Sequence, residues 1–167
     1  IEAIKPNRLK INMNLPEVLS SESNIKAEID VAWLTGVVAK GLKTELEVTL
    51  YNNDKPFKDY PKYRFSNPLL KFTESDYTLG SGTLDSLGHT TLDVQMPEQE
   101  NAPGMLQANF VCKVTENGGD ESITSRSMRF SPFSSYVGVD LSQEEYETDK
   151  DLCFPVVTLD AEGKRLS

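Results

Sequence analysis

Apolar and polar side chains alternate with a period of two along most of this chain, in one segment after another. In "RLKINMNL" (8–15), Leu9, Ile11, Met13 and Leu15 share one face, and Arg8, Lys10, Asn12 and Asn14 the other. "IKAEIDVAW" sets Ile25, Ala27, Ile29, Val31 and Trp33 against Lys26, Glu28 and Asp30. "LKTELEVTL" sets Leu42, Leu46, Val48 and Leu50 against Lys43, Glu45 and Glu47. "TLDVQM" aligns Leu92, Val94 and Met96, and "LQANFVCKV" aligns Leu106, Ala108, Phe110, Cys112 and Val114. Successive strand residues point to opposite faces, so this pattern gives each strand one dry and one wet side, as in antiparallel sheets.

Turn residues fall between these runs. "YNNDKP" (51–56), "DSLGH" (85–89), "ENGGDE" (116–121) and "DAEGK" (160–164) supply the Gly, Asn and Asp that reach positive φ at low cost. "TENGGDES" predicts a hairpin. After it, "ITSRSMRF" slips phase between Ile123 and Met128, which predicts a bulge or an edge strand. No segment sustains a 3.6-residue period. Short helical turns are expected at most at "PEVLSSES" (16–23) and "LSQEEYETDK" (141–150), neither long enough to stand alone. About seven strands with regular turns predict an all-β fold, an antiparallel seven-stranded β-sandwich.

The same pattern predicts the organisation of the chain. Residues 1–7 read as an incoming linker and 8–141 as the sandwich domain, with "SSYVGVDL" (134–141) as its last strand. "DLSQEEYETDKD" (140–151) holds six acids and one base in twelve residues, so 142–151 reads as an acidic linker. Residues 152–167 read as the truncated start of a following β domain; a strand on an edge of the first domain is the other placement.

Charge narrows the partners. The 167 residues carry 17 Lys and Arg against 26 Asp and Glu, a net charge of −9. That sign repels phosphate backbones, and no basic stripe is interleaved with aromatics, so no nucleic-acid partner is expected. No run of about 18 apolar residues offers direct membrane insertion. The chain opens at Ile1 with neither Met nor a signal-like segment, and reads as a mature product or an excised fragment.

Candidate chemistry is sparse. His89 is the single histidine, with Asp85 four residues before it; a catalytic Ser-His-Asp set is weighed against a solvated hairpin-tip residue. Cys112 and Cys153 are too far apart for a CxxC metal site, and Cys112 lies in phase with the dry face. A buried free thiol is therefore the reading there, with a bridge to Cys153 open in an oxidising compartment. Asp140, Glu144, Glu145 and Asp149 cluster carboxylates suited to calcium, but EF-hand spacing is missing and an acidic linker is the plainer account. Glu45 and Glu47 share a face with Lys43 and read as solvated surface. In "FKDYPKYRF", Phe57, Tyr60, Tyr63 and Phe65 suggest either a sugar-stacking platform or a cover over the open end of the sandwich. No catalytic, cofactor-binding or metal-ligating residue is assigned, and no cofactor is expected.

The order of several segments adds a resemblance. "KPNRLKINMNLP", "VAWLTGVVAKGLKTELEVTL", "YPKYRFSNP", "GSGTLDSLGHTTLDVQMP" and "PGMLQANFVCKVTENGGDESITSRSMRFSPFSSYVGVDL" follow one another as in a macroglobulin domain of the bacterial α2-macroglobulin family. "CFPVVTLDAEGKRLS" resembles the start of the next such domain. The resemblance implies a fibronectin III-like macroglobulin domain in a large, secreted, multi-domain protease inhibitor. It also implies a periplasmic or extracellular parent, lipid-anchored in some members through a part outside this chain. Neighbouring macroglobulin domains are the implied partners, together with target proteases that the parent traps through a bait segment and a Cys-Gln thioester. That chemistry has no counterpart here: Cys112 is followed by "KVT" and Cys153 by "FPV" where a thioester needs a nearby Glu-Gln. The expected role is a non-catalytic structural scaffold. A carbohydrate- or protein-binding module of a bacterial surface protein is the alternative, and an accessory domain of a large secreted enzyme a third. Fold alone does not choose among them.

Overall fold

The computed structural model describes residues 7–17, 19–20, 24–142, 149 and 151–167. Among these residues eleven strands form, in the order β1 (Leu9–Asn14), β2 (Leu19–Ser20), β3 (Asn24–Trp33), β4 (Lys43–Asn52), β5 (Tyr63–Arg64) and β6 (Ser75–Thr83). They continue as β7 (His89–Gln95), β8 (Leu106–Thr115), β9 (Glu121–Ser131), β10 (Ser135–Asp140) and β11 (Val156–Asp160). No helix forms among the described residues. The turn expected at 16–23 is partly outside them; where described, it contains β2. Most of the turn expected at 141–150 also lies outside.

Seven long strands build the sandwich. One sheet runs β1-β3-β7, and the other β9-β8-β4-β6 with the two-residue β2 added parallel to β9. The predicted alternation is what closes the core. Ile25, Ala27, Ile29 and Val31 of β3 face Leu46, Val48 and Leu50 of β4 and Leu106, Ala108, Phe110, Cys112 and Val114 of β8, all buried in one cluster. The small residues of "TLGSG" let β6 approach the opposite sheet: a Cβ on Gly80 would meet Val94 at 3.2 Å, and one on Gly82 would meet Leu92 at 2.9 Å.

Three of the predicted turns share one geometry. Residues 85–89, 116–120 and 160–164 each close with an N–H of the first residue on the carbonyl of the fifth, at 2.8–2.9 Å, with glycine at positive φ in fourth place. That is a type I turn followed by a left-handed residue.

Of the two readings of the phase slip in β9, the edge strand holds and the bulge does not: every residue from Glu121 to Phe130 pairs one-to-one with β8, and among the described residues only the two-residue β2 pairs on its other side. Ile123 faces out and Ser122 faces in, because the buried Ser122 hydroxyl accepts the N–H groups of Arg8 and Leu9 at the start of β1. The irregular register lies between β4 and β6, at Leu46/Glu47. The segment expected as the last sandwich strand is β10, and it joins neither sandwich sheet. It pairs with β11 on one side and β5 on the other, forming a third sheet of order β11-β10-β5.

Candidate functional site

The third sheet has its own core. Phe57, Phe65, Met105, Tyr136, Val157 and Leu159 are buried together, with Tyr60 and Tyr63 packed against them. Half of this cluster comes from the long β4–β6 connection and from the approach to β8. The other half comes from β10 and β11.

Glycines set the contact. A Cβ on Gly138 would stand only 2.6 Å from Phe65 Cζ, so the ring packs directly against the β10 backbone. Gly163, at φ +92°, would put a Cβ 2.9 Å from Phe57 Cδ1. The two rings touch edge-to-face at 4.8 Å, and Phe57 meets Tyr136 in the same way at 5.8 Å. Behind them Gly104 lets the 65–66 backbone come close, and Asn67 N–H donates to Pro103 O at 2.6 Å. Pro61 and Pro68 flank the two-residue β5.

Polar groups complete the joint. Ser131 Oγ donates to Phe133 O at 2.7 Å, so the Tyr136 hydroxyl donates to Ser131 Oγ at 2.6 Å and accepts the Phe133 N–H at 3.3 Å. This closed ring ties the end of β9 to β10, and burial pushes the Tyr136 hydroxyl above its ordinary pKa. An apolar groove of about 400 Å³ runs beside β10, lined by Arg64, Phe65, Pro68, Pro103, Val137 and Leu141 among others.

Of the two readings of these aromatics, a sugar-stacking platform or a cover, the packing fits a cover. Phe57 and Phe65 are buried, and Tyr60 and Tyr63 stack edge-to-face on each other at 5.7 Å. These aromatics cover the third sheet and not the sandwich's open end. Of that reading, the signal available in sequence was the aromatic-glycine match between 57–65 and 138–163; nothing local announces it.

The His89 imidazole bonds to Asp30 and not to Asp85. Its Nδ1–H donates to Asp30 Oδ1 at 2.8 Å across the β3–β7 ladder, and Nε2 lies 3.1 Å from Thr91 Oγ1. The hydrogen bond to Asp30 raises the His89 pKa. Asp85 instead accepts the backbone N–H groups of Leu87 and His89, and the His89 bond leads in holding its carboxyl below the usual range. The hydroxyl-imidazole-carboxylate order matches a triad, but it lies on the wet face of a sheet.

The other candidates separate. Cys112 is buried and free, its thiol pushed up to about 11 by desolvation, and Cys153 is exposed and free, so the bridge left open above does not form. Glu47 accepts from Lys113 Nζ at 2.6 Å on the wet face of the sheet, and Glu45 is exposed nearby. Asp140 is engaged by Ser142, whose hydroxyl and N–H hold its carboxyl low; Glu144 and Glu145 lie outside the described residues. Among the described residues no group of three His, Cys, Asp or Glu converges on a metal-sized site.

Solved structures show the same fold. A Salmonella alpha-2-macroglobulin reacted with methylamine superposes with a TM-score of 0.68 at 20% identity, covering 98% of this chain and 12% of that one. Trypsin-activated alpha-2-macroglobulin from Escherichia coli gives 0.67 at 20% identity, covering 95% and 12%. The Escherichia coli protein activated by porcine elastase gives 0.68 at 19%, covering 96% and 15%. The chain thus spans about an eighth of the length of these relatives. No curated protein matches the sequence significantly. The family model of the bacterial alpha-2-macroglobulin MG5 domain matches residues 7–132, the whole sandwich up to the residue pair before Ser134. On that match, the chain belongs to the bacterial alpha-2-macroglobulin family as a macroglobulin domain of the MG5 type.

Proposed function

We propose that this chain is a structural scaffold domain of a large alpha-2-macroglobulin-like protease inhibitor, non-catalytic in itself, that holds the next domain in a fixed orientation. The observation that carries this reading is the pair of rings seated on glycines, Phe65 on Gly138 and Phe57 on Gly163. A loop of the sandwich thereby forms half the core of the sheet that follows. The sandwich ends near Pro132, and β10 and β11 open the following domain, welded to the sandwich by shared aromatics. The acidic segment 142–151 is then a connection within that domain.

The partners are neighbouring macroglobulin domains of the same parent, with proteases engaged only through the parent. The location is periplasmic or extracellular, with any lipid anchor outside this chain. The trypsin- and elastase-activated states of the related structures support a parent that responds to proteases. A carbohydrate-binding role gains no such support, since its four candidate rings are committed to packing.

The test is the intact mass of the native parent, captured by an antibody to this domain, before and after methylamine and after trypsin. A parent several times larger than this chain that retains cleaved trypsin complexes is expected. A gain of one methylamine would add a thioester to that picture. A parent about the size of this chain would overturn it.

A further inference from the structure

Large hydrophobic side chains left exposed are not scattered over this molecule. Among the described residues, and Tyr51 apart, they lie at two poles of the sandwich. One pole is the third sheet and its loops, with exposed residues at 69–70 and between 133 and 166. The other is the opposite end, where Leu34 is 68% exposed, Val37 62%, Val38 44% and Leu87 77%, with Ile123 beside them. Leu34 and Leu87 sit on turn tips, positions that normally carry Gly, Asn, Asp or Ser, and Val37 and Val38 follow directly after the first of these turns. Clustered exposed apolar groups of this kind mark an interaction surface.

The turns that present them are built, not loose. Trp33 N–H donates to Val37 O at 2.8 Å, and Ala32 bridges Val38. Val31 N–H donates to Gly88 O at 2.8 Å, and Asp85 Oδ1 accepts from Leu87 N–H at 2.8 Å. Gly88, at φ +77°, packs so closely that a Cβ would stand 2.5 Å from Val31 O and 3.1 Å from Val38 Cγ1. The 34–38 and 85–88 tips are therefore one preorganised surface, which lowers the ordering cost of docking.

The polypeptide enters at this pole. Leu34 N–H donates to Arg8 O at 3.1 Å, and Asn7 pairs through its side-chain amide with both backbone groups of Ile123. Arg8 itself lies over the Trp33 ring and 3.2 Å from Glu116, adding a charged rim. Anything preceding β1 in the parent leaves the sandwich within hydrogen-bonding distance of the patch, and most of the relatives' length lies outside the matched segment.

We propose that Leu34, Val37, Val38 and Leu87 form the docking surface for the domain immediately N-terminal to this one in the same polypeptide. This rests on the scaffold reading and extends it: the domain is gripped at both poles, by shared rings at one and by an apolar cap at the other.

The experiment places a photoreactive benzoylphenylalanine at Val37, at Leu87 and, as control, at Lys26 on the wet face of β3, each in the full parent protein. Irradiation is followed by peptide mass spectrometry. Positions 37 and 87 are expected to crosslink to sequence directly preceding residue 1, and position 26 to give little product. Crosslinks from 37 and 87 to a second polypeptide or to sequence beyond Ser167, or yields no higher than at 26, would overturn the docking proposal while leaving the scaffold reading intact. A parent no larger than this chain would instead remove the scaffold reading itself.

Discussion

His89 shows how one side chain acquires a pKa from its cross-strand neighbour. It faces Asp30 in the β3–β7 register, and the bond from Nδ1 to the carboxylate favours the imidazolium, raising the pKa above that of a free imidazole. A pKa raised on folding means that the folded state holds its proton more tightly than the unfolded chain. The pair's contribution to stability is therefore complete below about pH 6.5 and is lost as pH rises through the folded value. Both groups are exposed, so solvent screens the effect and stability moves little. The pKa itself is the sharper readout, because the chain has one histidine and one titration curve. Asp30→Asn is expected to bring His89 down toward its ordinary value by proton NMR. An unchanged midpoint would remove Asp30 as the cause. The sequence placed Asp85 near His89 by counting residues, whereas the partner that matters is 59 residues away. Alternation marks which face a side chain occupies but not which strand lies opposite.

At the scale of the element, strands and turns were legible because each is written locally. Period-two alternation gave β1, β3, β4, β7 and β8, and the Gly-bearing tips gave the three five-residue turns. What failed depended on distant groups. The phase slip between Ile123 and Met128 arises because Ser122, and not Ile123, takes the inward position, where its hydroxyl accepts N–H groups at the start of β1, more than a hundred residues earlier in sequence. β10 was legible as a strand while its partners were not, since "SSYVGVD" carries no mark of β5 or β11. The glycine inside it holds the clue: Gly138 weakens a strand by itself, so a close approach must compensate. Gly138→Val forces a branched side chain into the Phe65 ring and is expected to cost the third sheet about 1–3 kcal/mol, the usual range for overpacking. Amide exchange in β10 and β11 should accelerate while β3 and β8 stay protected, and adding Phe65→Leu should restore part of the loss. Equal acceleration in β3 and β8 would mean that the two cores are one cooperative unit.

The whole molecule turns on that same question of one unit or two. Among the described residues the sandwich cluster draws its buried members from Leu9 to Phe130, whereas the second cluster mixes Phe57, Phe65 and Met105 with Tyr136, Val157 and Leu159. Removing residues 133–167 thus leaves the first core complete but strips the cover from two rings and a methionine. The shortened chain is expected to unfold in a single urea transition, with β3 and β8 amides as protected as before. It should also bind a hydrophobic dye such as ANS and lose protection across 53–72, where the uncovered loop has nothing to pack on. Uncovering side chains of this size gives up on the order of 1.5–3 kcal/mol each where burial was full, and the loss falls on the loop because the sandwich ladder is intact. A chain that fails to unfold cooperatively would show that β10 and β11 are part of the sandwich's own stability. The boundary near Pro132 would then have to move toward the C-terminus. Cooperative unfolding with new dye binding would instead match a rigid joint whose rings are shared, with each domain folding by itself and the contact between them fixing their angle.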